Sequence, residues 1–249
     1  MTGDGAAESE GAAPPGHGPI IIITLDGPAG SGKSSVARTL ALRLGVDFLD
    51  TGAMYRAAAA IIIDRKIDPR DTPRVVEAVA DADLHFDWAA DPPIILAWLK
   101  PIDDRIRDAD VNALVAQVAT VAAVREHLVA KQRLIARQHP RLVSEGRDQG
   151  SIVFPGADAK FYLDANPEVR AQRRAMQIQS SGRDADERSI LADILRRDTV
   201  DSTRDDGPLI CPDDARRIDT SEMSFGEVVA LLERLCREQI TALSMNDGG

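Results

Sequence analysis

The chain has 249 residues, of which 44% are hydrophobic and 28% charged, enough to bury a substantial core. Its 40 acidic and 30 basic side chains give a net charge of −10, which argues against a surface that grips nucleic acid as a whole. Two cysteines, Cys211 and Cys236, are too few for a disulfide framework or a zinc cluster. No apolar run reaches the roughly 18 to 20 residues of a membrane span. We therefore expect a soluble, cytoplasmic protein that binds neither nucleic acid nor membrane.

The two ends of the chain differ in composition from the rest. Residues 1–18 are rich in Gly, Ala and Pro and contain acidic residues but no Lys or Arg, unlike a signal or transit peptide. Their apolar surface is too small to offset the entropy of ordering, which predicts a disordered tail. We expect residues 241–249 to fray for the same reason. One folded domain is thus predicted over residues 19–240.

Strands and helices alternate along most of this domain. Residues 20–25 form a β-branched run typical of a buried parallel strand, and residues 34–44 carry apolar side chains at helical spacing. Further strands are predicted over residues 46–49, 142–144, 160–163 and 215–219, with a helix around 57–63. This alternation predicts an α/β fold, in which helices flank a largely parallel sheet.

One segment, residues 70–108, breaks the alternation. Residues 84–88 and 94–99 are short β-like runs separated by a turn-rich Ala-Ala-Asp-Pro-Pro link, and residues 102–106 are a candidate third run. Because no crossover helix separates these runs, they are expected to pair as an antiparallel ribbon. We interpret the segment as a small insert on the main sheet; an irregular surface excursion is the alternative.

A glycine-rich motif follows the first predicted strand. Residues 27–34, Gly-Pro-Ala-Gly-Ser-Gly-Lys-Ser, match G-x-x-x-x-G-K-[ST] and lie between a strand and a helix. Glycines let such a turn point its N–H groups at an anion, and the helix start adds its positive dipole end. Lys33 is expected to reach the β- and γ-phosphates of a nucleoside triphosphate, and Ser34 to ligate Mg²⁺. A simple strand–helix turn would not require the Lys-Ser pair. We call residues 27–34 the P-loop.

Arginines cluster with carboxylates at four other places, which indicates a second anionic ligand. Two clusters, residues 50–56 and 146–150, follow predicted strands, where ligands bind in such folds. Arg125 lies on a predicted helix, and Arg197, Asp201 and Arg204 have spacings of four and three, so a helix would place them on one face. The alternative for residues 197–204 is a solvated surface ion pair, and the alternative for Arg170 and Arg174 is a solvated helix face.

The combined motifs resemble those of bacterial-type cytidylate kinases, within the nucleoside monophosphate kinase group. The matching segments are residues 25–35, 49–56, 106–108, 124–126, 145–155 and 196–204. The resemblance covers approximately residues 20–240. It implies transfer of the γ-phosphoryl group of ATP to CMP or dCMP with Mg²⁺, by a P-loop kinase fold with a monophosphate-binding insert (70–108) and a mobile lid. We expect the enzyme to be a monomer.

The resemblance also implies roles for particular residues. The expected ATP-binding residues are Gly27, Pro28, Ala29, Gly30, Ser31, Gly32, Lys33, Ser34, Ser35, Arg170 and Arg174. The expected acceptor-binding residues are Asp50, Thr51, Tyr55, Arg56, Arg107, Arg125, Arg147, Asp148, Arg197, Asp201 and Arg204. Of these, Lys33, Arg147, Asp148 and Arg204 are expected to act in catalysis, and Ser34 to hold the metal.

The predicted lid region spans residues 179–204. Its first part, residues 179–193, is rich in charge and contains Arg183 and Arg188 as candidate phosphate contacts. Closure after both substrates have bound would keep water from acting as the acceptor.

Two positions depart from the family pattern. Ala116 replaces a serine that the family often has near the cytosine, so the choice between cytosine and uracil is open. Gln149 replaces the usual apolar residue of G-R-D-x-G, a change that the residues alone do not explain. Two other functions stay open: a related kinase acting on UMP, shikimate or another anion, and a non-catalytic nucleotide sensor.

Overall fold

The computed structural model describes residues 20–180, 182 and 184–246. The predicted tail, residues 1–18, and Arg183 lie outside the described residues. Helix α8 (Phe225–Asn246) extends past residue 240, where the folded domain was expected to end; the fraying of residues 241–249 stays a prediction. Within α8, Val228, Val229, Leu232 and Cys236 recur at helical spacing and are buried in the core.

Five parallel strands form the main sheet, in the spatial order β2-β6-β1-β7-β8. Their bounds are β1 Ile21–Asp26, β2 Asp47–Asp50, β6 Arg141–Glu145, β7 Ala159–Asp164 and β8 Arg216–Asp219. Each predicted sheet strand is confirmed with bounds shifted by one or two residues. Because all five run in the same direction, the carboxyl ends of β1, β2 and β6 meet at one edge of the sheet.

Eight helices accompany the strands in the described part of the chain. Their bounds are α1 Lys33–Leu44, α2 Thr51–Asp64, α3 Thr72–Asp81, α4 Ala109–Val118, α5 Ala122–Gln138, α6 Pro167–Ser180, α7 Glu187–Thr203 and α8 Phe225–Asn246. Within the described residues no single helix is long and apolar enough to cross a membrane, although α4 and α5, which meet at a 99° bend, pass that test of length and composition as a pair.

The hydrophobic core has two halves, one on each face of the sheet. One half contains Leu142 and residues of α2, α4 and α5; the other contains Ile21, Ile23, Val143 and residues of α1 and α8. Adjacent residues such as Leu142 and Val143 face opposite halves because side chains alternate along a strand. The predicted α/β layering, with helices on both faces of a parallel sheet, is confirmed.

The insert contains an antiparallel sheet with the order β3-β4-β5, as expected. Its strands are β3 His85–Asp87, β4 Ile94–Ala97 and β5 Lys100–Pro101. The prediction of a third strand over residues 102–106 is wrong: the third strand is β5, and Arg105–Arg107 form a 3₁₀ turn. Helix α3, which precedes β3, was not predicted. Buried Phe86 and Ile95 join the core half around α2, so the insert packs on α2.

Candidate active site

The P-loop joins β1 to α1 in a conformation that requires glycine. Gly30 and Gly32 have φ angles of 76° and 83°, in the left-handed region. Gly27 has a φ of 149°, and a Cβ there would lie 2.1 Å from the carbonyl oxygen of Leu163 on β7. A larger residue at position 27 would therefore separate the loop from the neighbouring strand.

Lys33 is buried at the first turn of α1. Its Nζ donates a hydrogen bond to the carbonyl oxygen of Pro28, at 3.2 Å. Burial, with the positive charge of Arg147, lowers the pKa of Lys33. This carbonyl is the only hydrogen-bond partner of Lys33 among the described residues, and an incoming anion would stabilise the buried ammonium group.

Ser34 lies beside a carboxylate that the sequence reasoning did not assign. Its Oγ donates to Oε1 of Glu145, the last residue of β6, at 2.7 Å. Burial and the nearby charge of Asp50 raise the pKa of Glu145 to about 7. Glu145 could have been recognised from its place at the carboxyl end of a predicted strand, where an acidic residue holds Mg²⁺ in many P-loop proteins.

This Ser–Glu pair has the chemistry that Mg²⁺ requires. Mg²⁺ prefers oxygen ligands and keeps several waters and substrate phosphates, so one or two protein groups suffice. The described residues contain no group of three or more His, Cys, Asp or Glu side chains able to hold a metal. The site therefore fits Mg²⁺ only if Ser34 and Glu145 share the ion with a phosphate group of the bound ligand.

The end of β2 is tied to the end of β6. Thr51 Oγ1 donates to the carbonyl oxygen of Glu145, at 2.7 Å. Asp50 caps α2 by accepting from the N–H of Ala53 at 2.8 Å, and it pairs with Arg56 at 2.9 Å. Burial alone would raise the pKa of Asp50, but the charges of Arg56 and Lys33 and the hydrogen bonds to Asp50 together outweigh burial, and the pKa is lowered. Asp50 is thus a charged carboxylate at the edge of the site.

The loop after β6 is held against β1 by Asp26. This carboxylate accepts from the backbone N–H groups of Gln149 and Gly150, at 2.8 and 2.7 Å. Burial raises the pKa of Asp26 to about 6. The sequence reasoning passed over Asp26, although it directly precedes the P-loop. Its two bonds position Arg147 and Asp148 relative to the P-loop.

Arg125 and Asp148 form a buried ion pair. Arg125 lies in the first turn of α5, and its Nη1 also donates to the hydroxyl of Tyr55, at 3.4 Å. A second carboxylate, Asp206, lies 3.2 Å from Arg125 Nε. The structure thus brings together Tyr55, Arg125 and Asp148, three residues predicted to contact the acceptor. Asp206 was missed because it belongs to a short loop with no motif.

Asp201 gathers three arginines around one carboxylate. It lies 2.8 Å from Arg147 Nε, 3.8 Å from Arg204 Nη1 and 3.9 Å from Arg197 Nε. Asp201 is 3% exposed, so the surface interpretation of this cluster is wrong. Burial would raise the pKa of Asp201, but Arg147 and Arg197 outweigh it and lower the pKa. The helical spacing predicted for Arg197 and Asp201 is confirmed in α7, whereas Arg204 directly follows the end of the helix at Thr203.

The remaining predicted arginines lie apart from these pairs. Arg170 is buried, with Nη1 on the carbonyl of Ala29 at 2.8 Å and an ion pair to Asp198 of α7 at 2.7 Å. It therefore supports the P-loop from behind and links it to α7. Arg174 is exposed and bonds Gln177 on its own helix. Arg107 and Arg188 are exposed, and no described contact joins them to the site.

Gln149, the unexplained departure, belongs to a buried amide network. Its Oε1 accepts from Ser144 Oγ at 2.7 Å, and its Nε2 donates to Gln132 Oε1 at 3.2 Å. Nε2 also lies 3.5 Å from Asp148 Oδ1. The polar side chain is therefore satisfied inside the protein and lies behind the Arg125–Asp148 pair. Gln132, its partner on α5, could not be recognised from sequence because pairing depends on packing.

Comparison with known proteins gives a consistent result. The chain matches the sequence model of the family described as Cytidylate kinase over residues 23–238. A cytidylate kinase from Rhodococcus opacus (strain B4) is 44% identical over 216 residues, covering 85% of this chain and 93% of the relative. One from Mycobacterium leprae (strain Br4923) is 40% identical over 229 residues, covering 90% and 98%.

Solved structures agree in fold. An uncharacterized protein from Eubacterium ventriosum superposes with a TM-score of 0.50 at 13% identity, covering 88% of this chain and 99% of that protein. At this identity the likeness concerns the fold alone. The sequence matches cover nearly the whole length of the relatives, and they agree with the P-loop and the arginine–carboxylate pairs; this chain belongs to the cytidylate kinase family.

Proposed function

We propose that this kinase transfers the γ-phosphoryl group of ATP to CMP or dCMP, giving ADP and CDP or dCDP. The observation that carries the proposal is the unbroken series of contacts between the two halves of the site. Ser34 of the P-loop bonds Glu145, the backbone continues to Arg147, and Arg147 pairs with Asp201. A triphosphate in the P-loop would therefore lie next to an anion held by the arginines.

The donor is held by the P-loop. The N–H groups of residues 27–34 and the amino end of α1 attract the phosphates, while Lys33 offsets charge on the β- and γ-phosphates. Because Lys33 and its surroundings are fixed before ATP binds, little reorganisation is needed during transfer. Arg170 keeps the loop in place through the carbonyl of Ala29, and direct contact of Arg170 or Arg174 with ATP stays a prediction.

Ser34 and Glu145 would hold Mg²⁺, Ser34 through its hydroxyl and Glu145 directly or through water. When bound, Mg²⁺ supplies positive charge that offsets the phosphate oxygens. Glu145 must be ionised for this role, which its raised pKa opposes. The hydrogen bond from Ser34 and the proximity of Lys33 favour the ionised form.

The acceptor occupies the arginine cluster in this proposal. A nucleoside monophosphate already carries a nucleophilic phosphate oxygen, so no general base is required. The obstacle is repulsion between two anions, and Arg147, Arg197 and Arg204 counter it by placing positive charge around their point of approach. Burial and the charge of Arg147 lower the pKa of Arg197 to about 10. The lowered pKa indicates that Arg197 has too few anionic partners to offset its burial.

The remaining acceptor residues would hold the nucleoside. Asp50, Thr51 and Arg56 border the site at the end of β2, and Tyr55, Arg125 and Asp148 form its inner wall. We assign Asp201 to the sugar hydroxyls. The lid in this proposal is α7 with the residues before it, 179–204, because α7 carries Arg197 and Asp201.

A coupled assay of purified protein with ATP and CMP, dCMP, UMP, AMP or shikimate tests the proposal. We expect rapid turnover with CMP and dCMP and much slower turnover with the others. Preference for UMP would point to the missing serine hydroxyl at Ala116 and identify a related kinase instead. Nucleotide binding without turnover of any acceptor would support the sensor interpretation.

We propose further that the enzyme works as a cytoplasmic monomer that needs no nucleic acid or membrane. Cys211 and Cys236 are free thiols, as is usual in a reducing compartment. Sedimentation of the purified protein at assay concentration checks the monomer: a dimeric mass would contradict it.

A further inference from the structure

A short loop after α7 covers the inner wall of the proposed acceptor site. We call residues 204–209 the strap. Gly207 in the strap has a φ of 59°, and a Cβ built there would lie 1.9 Å from Arg125 Nη2 and 2.6 Å from Asp148 Oδ2. The backbone of the strap thus rests directly on the Arg125–Asp148 pair, and only glycine allows this approach.

The strap is fastened by residues of the same site. Arg204 Nε donates to the carbonyl oxygen of Gly207 at 2.6 Å, and the N–H of Leu209 donates to the carbonyl oxygen of Asp201 at 2.7 Å. Leu209 is also buried. These contacts, together with Gly207, fix the conformation of the strap over Arg125.

The strap brings Asp206 to Arg125 as a second carboxylate. Arg125 is 1% exposed and already paired with the buried Asp148. The Asp206 side chain is 47% exposed, and its Oδ2 lies 3.2 Å from Arg125 Nε. One carboxylate is enough to neutralise a guanidinium group. Asp206 thus approaches the buried Arg125 from the solvent side.

We propose that Asp206 is an internal competitor of the acceptor nucleotide: it holds Arg125 while the site is empty and is displaced when the acceptor binds. This inference rests on the proposed placement of the acceptor at Arg125. Arg125 Nε has no hydrogen-bond partner among the described residues; Asp206 offsets the charge of the buried guanidinium from the solvent side, at 3.2 Å, without the geometry of a hydrogen bond. Because Asp206 is half-exposed, it can return to water at small cost.

Such a competitor lowers the affinity of the site for its acceptor. Each acceptor that bonds Arg125 must first replace Asp206, so the free energy of that contact is subtracted from binding. A half-exposed ion pair contributes little, which corresponds to a change in affinity of about three- to fivefold. The donor side makes no contact with the strap in the described residues, so ATP affinity should not depend on Asp206.

The test compares Asp206→Asn with Asp205→Asn. Both remove one carboxylate from the same loop, but Asp205 is exposed and no described contact joins it to Arg125. Titration calorimetry and steady-state assays with CMP should show binding and KM improved about three- to fivefold in Asp206→Asn. The KM for ATP should stay unchanged, and Asp205→Asn should match the wild type for both substrates. Asp206→Ser should behave like Asp206→Asn, which guards against an effect peculiar to asparagine.

Two results would contradict the proposal that Asp206 competes with the acceptor for Arg125. One is a CMP affinity in Asp206→Asn equal to that of Asp205→Asn; the other is a weaker affinity, which would make Asp206 part of the acceptor site. Thermal unfolding of each variant identifies any loss that comes from misfolding. Failure of the proposed function is distinguishable, because the wild type itself would then neither bind nor phosphorylate CMP.

Discussion

The two sides of the active site are built from different parts of the chain. The proposed donor side is one continuous loop, residues 27–34, which contains a single lysine, Lys33. The acceptor side assembles side chains from α2, α5, the loop after β6 and α7. A local loop needs only its own sequence, whereas an assembled site depends on how distant elements pack.

The two sides also differ in how their positive charges are compensated. In the described part of the chain, Lys33 donates its one hydrogen bond to a carbonyl of its own loop, at 3.2 Å. Each of the acceptor arginines Arg56, Arg125 and Arg147 instead pairs with a carboxylate. Loss of Lys33 should therefore affect the chemistry without leaving a stranded partner, whereas loss of an arginine leaves a carboxylate unpaired.

Lys33→Ala tests the donor side and should have the largest effect. We expect kcat to fall by about 10²- to 10³-fold, because a fixed donor to the transferring phosphates is lost. CMP binding and the circular dichroism spectrum should remain unchanged. Lys131→Ala, on α5 and paired with Asp83 away from the site, is the control. Wild-type turnover in Lys33→Ala would remove this residue from the mechanism.

Glu145→Gln tests the link between the two sides. We expect kcat to fall by about 10²-fold and the Mg²⁺ requirement to rise, since a carboxylate near the metal is lost. The raised pKa of Glu145, about 7, places its titration near neutrality. On the acid side, activity of the wild type should therefore increase as Glu145 loses its proton; on the alkaline side it should fall as Lys33, whose pKa is lowered to about 7, loses its positive charge.

A pH series separates this role from a packing role. In Glu145→Gln the acid limb of kcat/KM for ATP should disappear, while Glu126→Gln, exposed on α5, should keep the wild-type profile. An acid limb of equal size and position in Glu145→Gln would assign that limb to another group and contradict the proposal.

Arg125→Gln tests the acceptor side. We expect the KM for CMP to rise about 10- to 100-fold, as for the loss of a hydrogen bond to a charged group, with the KM for ATP within about twofold. Asp148, left buried without its partner, should also lower the melting temperature. Arg137→Gln, exposed on the same helix, controls for the loss of charge. Equal increases in both KM values would argue against an acceptor site at Arg125.

Sequence reasoning succeeded where the signal is local. The P-loop and the strands of the main sheet follow from periodicity and from a motif with fixed spacing, since each is determined by neighbouring residues. The face of α7 that carries Arg197 and Asp201 follows from helical geometry alone. That these residues approach Arg147 was expected only through the family resemblance, because ion pairs between distant segments leave no pattern in a single sequence.

The errors have the same physical origin. The strand expected at residues 102–106 has β-like composition, but the chain turns at Arg105, which pairs with Asp64 of α2 at 2.8 Å. That tertiary contact outweighs a weak local preference. Glu145 and Asp26 were not predicted because a carboxylate at a strand end can have many structural roles. Only the contact of Glu145 with Ser34, and of Asp26 with Gly150, shows that they belong to the site.

Gln149→Leu makes the smallest and most local change on the acceptor side. It removes the partner of Ser144 Oγ and Gln132 Oε1, both buried. We expect a loss of about 1–3 kcal/mol in the free energy of unfolding, the cost of leaving buried polar groups unpaired. The KM for CMP should rise by a few-fold, because Asp148 loses a neighbour that orients it, and the KM for ATP should not change.

The double variant Gln149→Leu, Gln132→Leu sharpens this prediction. Replacing both partners with apolar groups of similar size removes the stranded amide, so chemical denaturation should show stability partly restored relative to Gln149→Leu. Catalysis should not recover with it, since Asp148 still lacks its neighbour. If the two losses in stability simply add, the amides are not coupled. If the KM for CMP returns to the wild-type value with stability, Gln149 acts by packing alone and does not position Asp148.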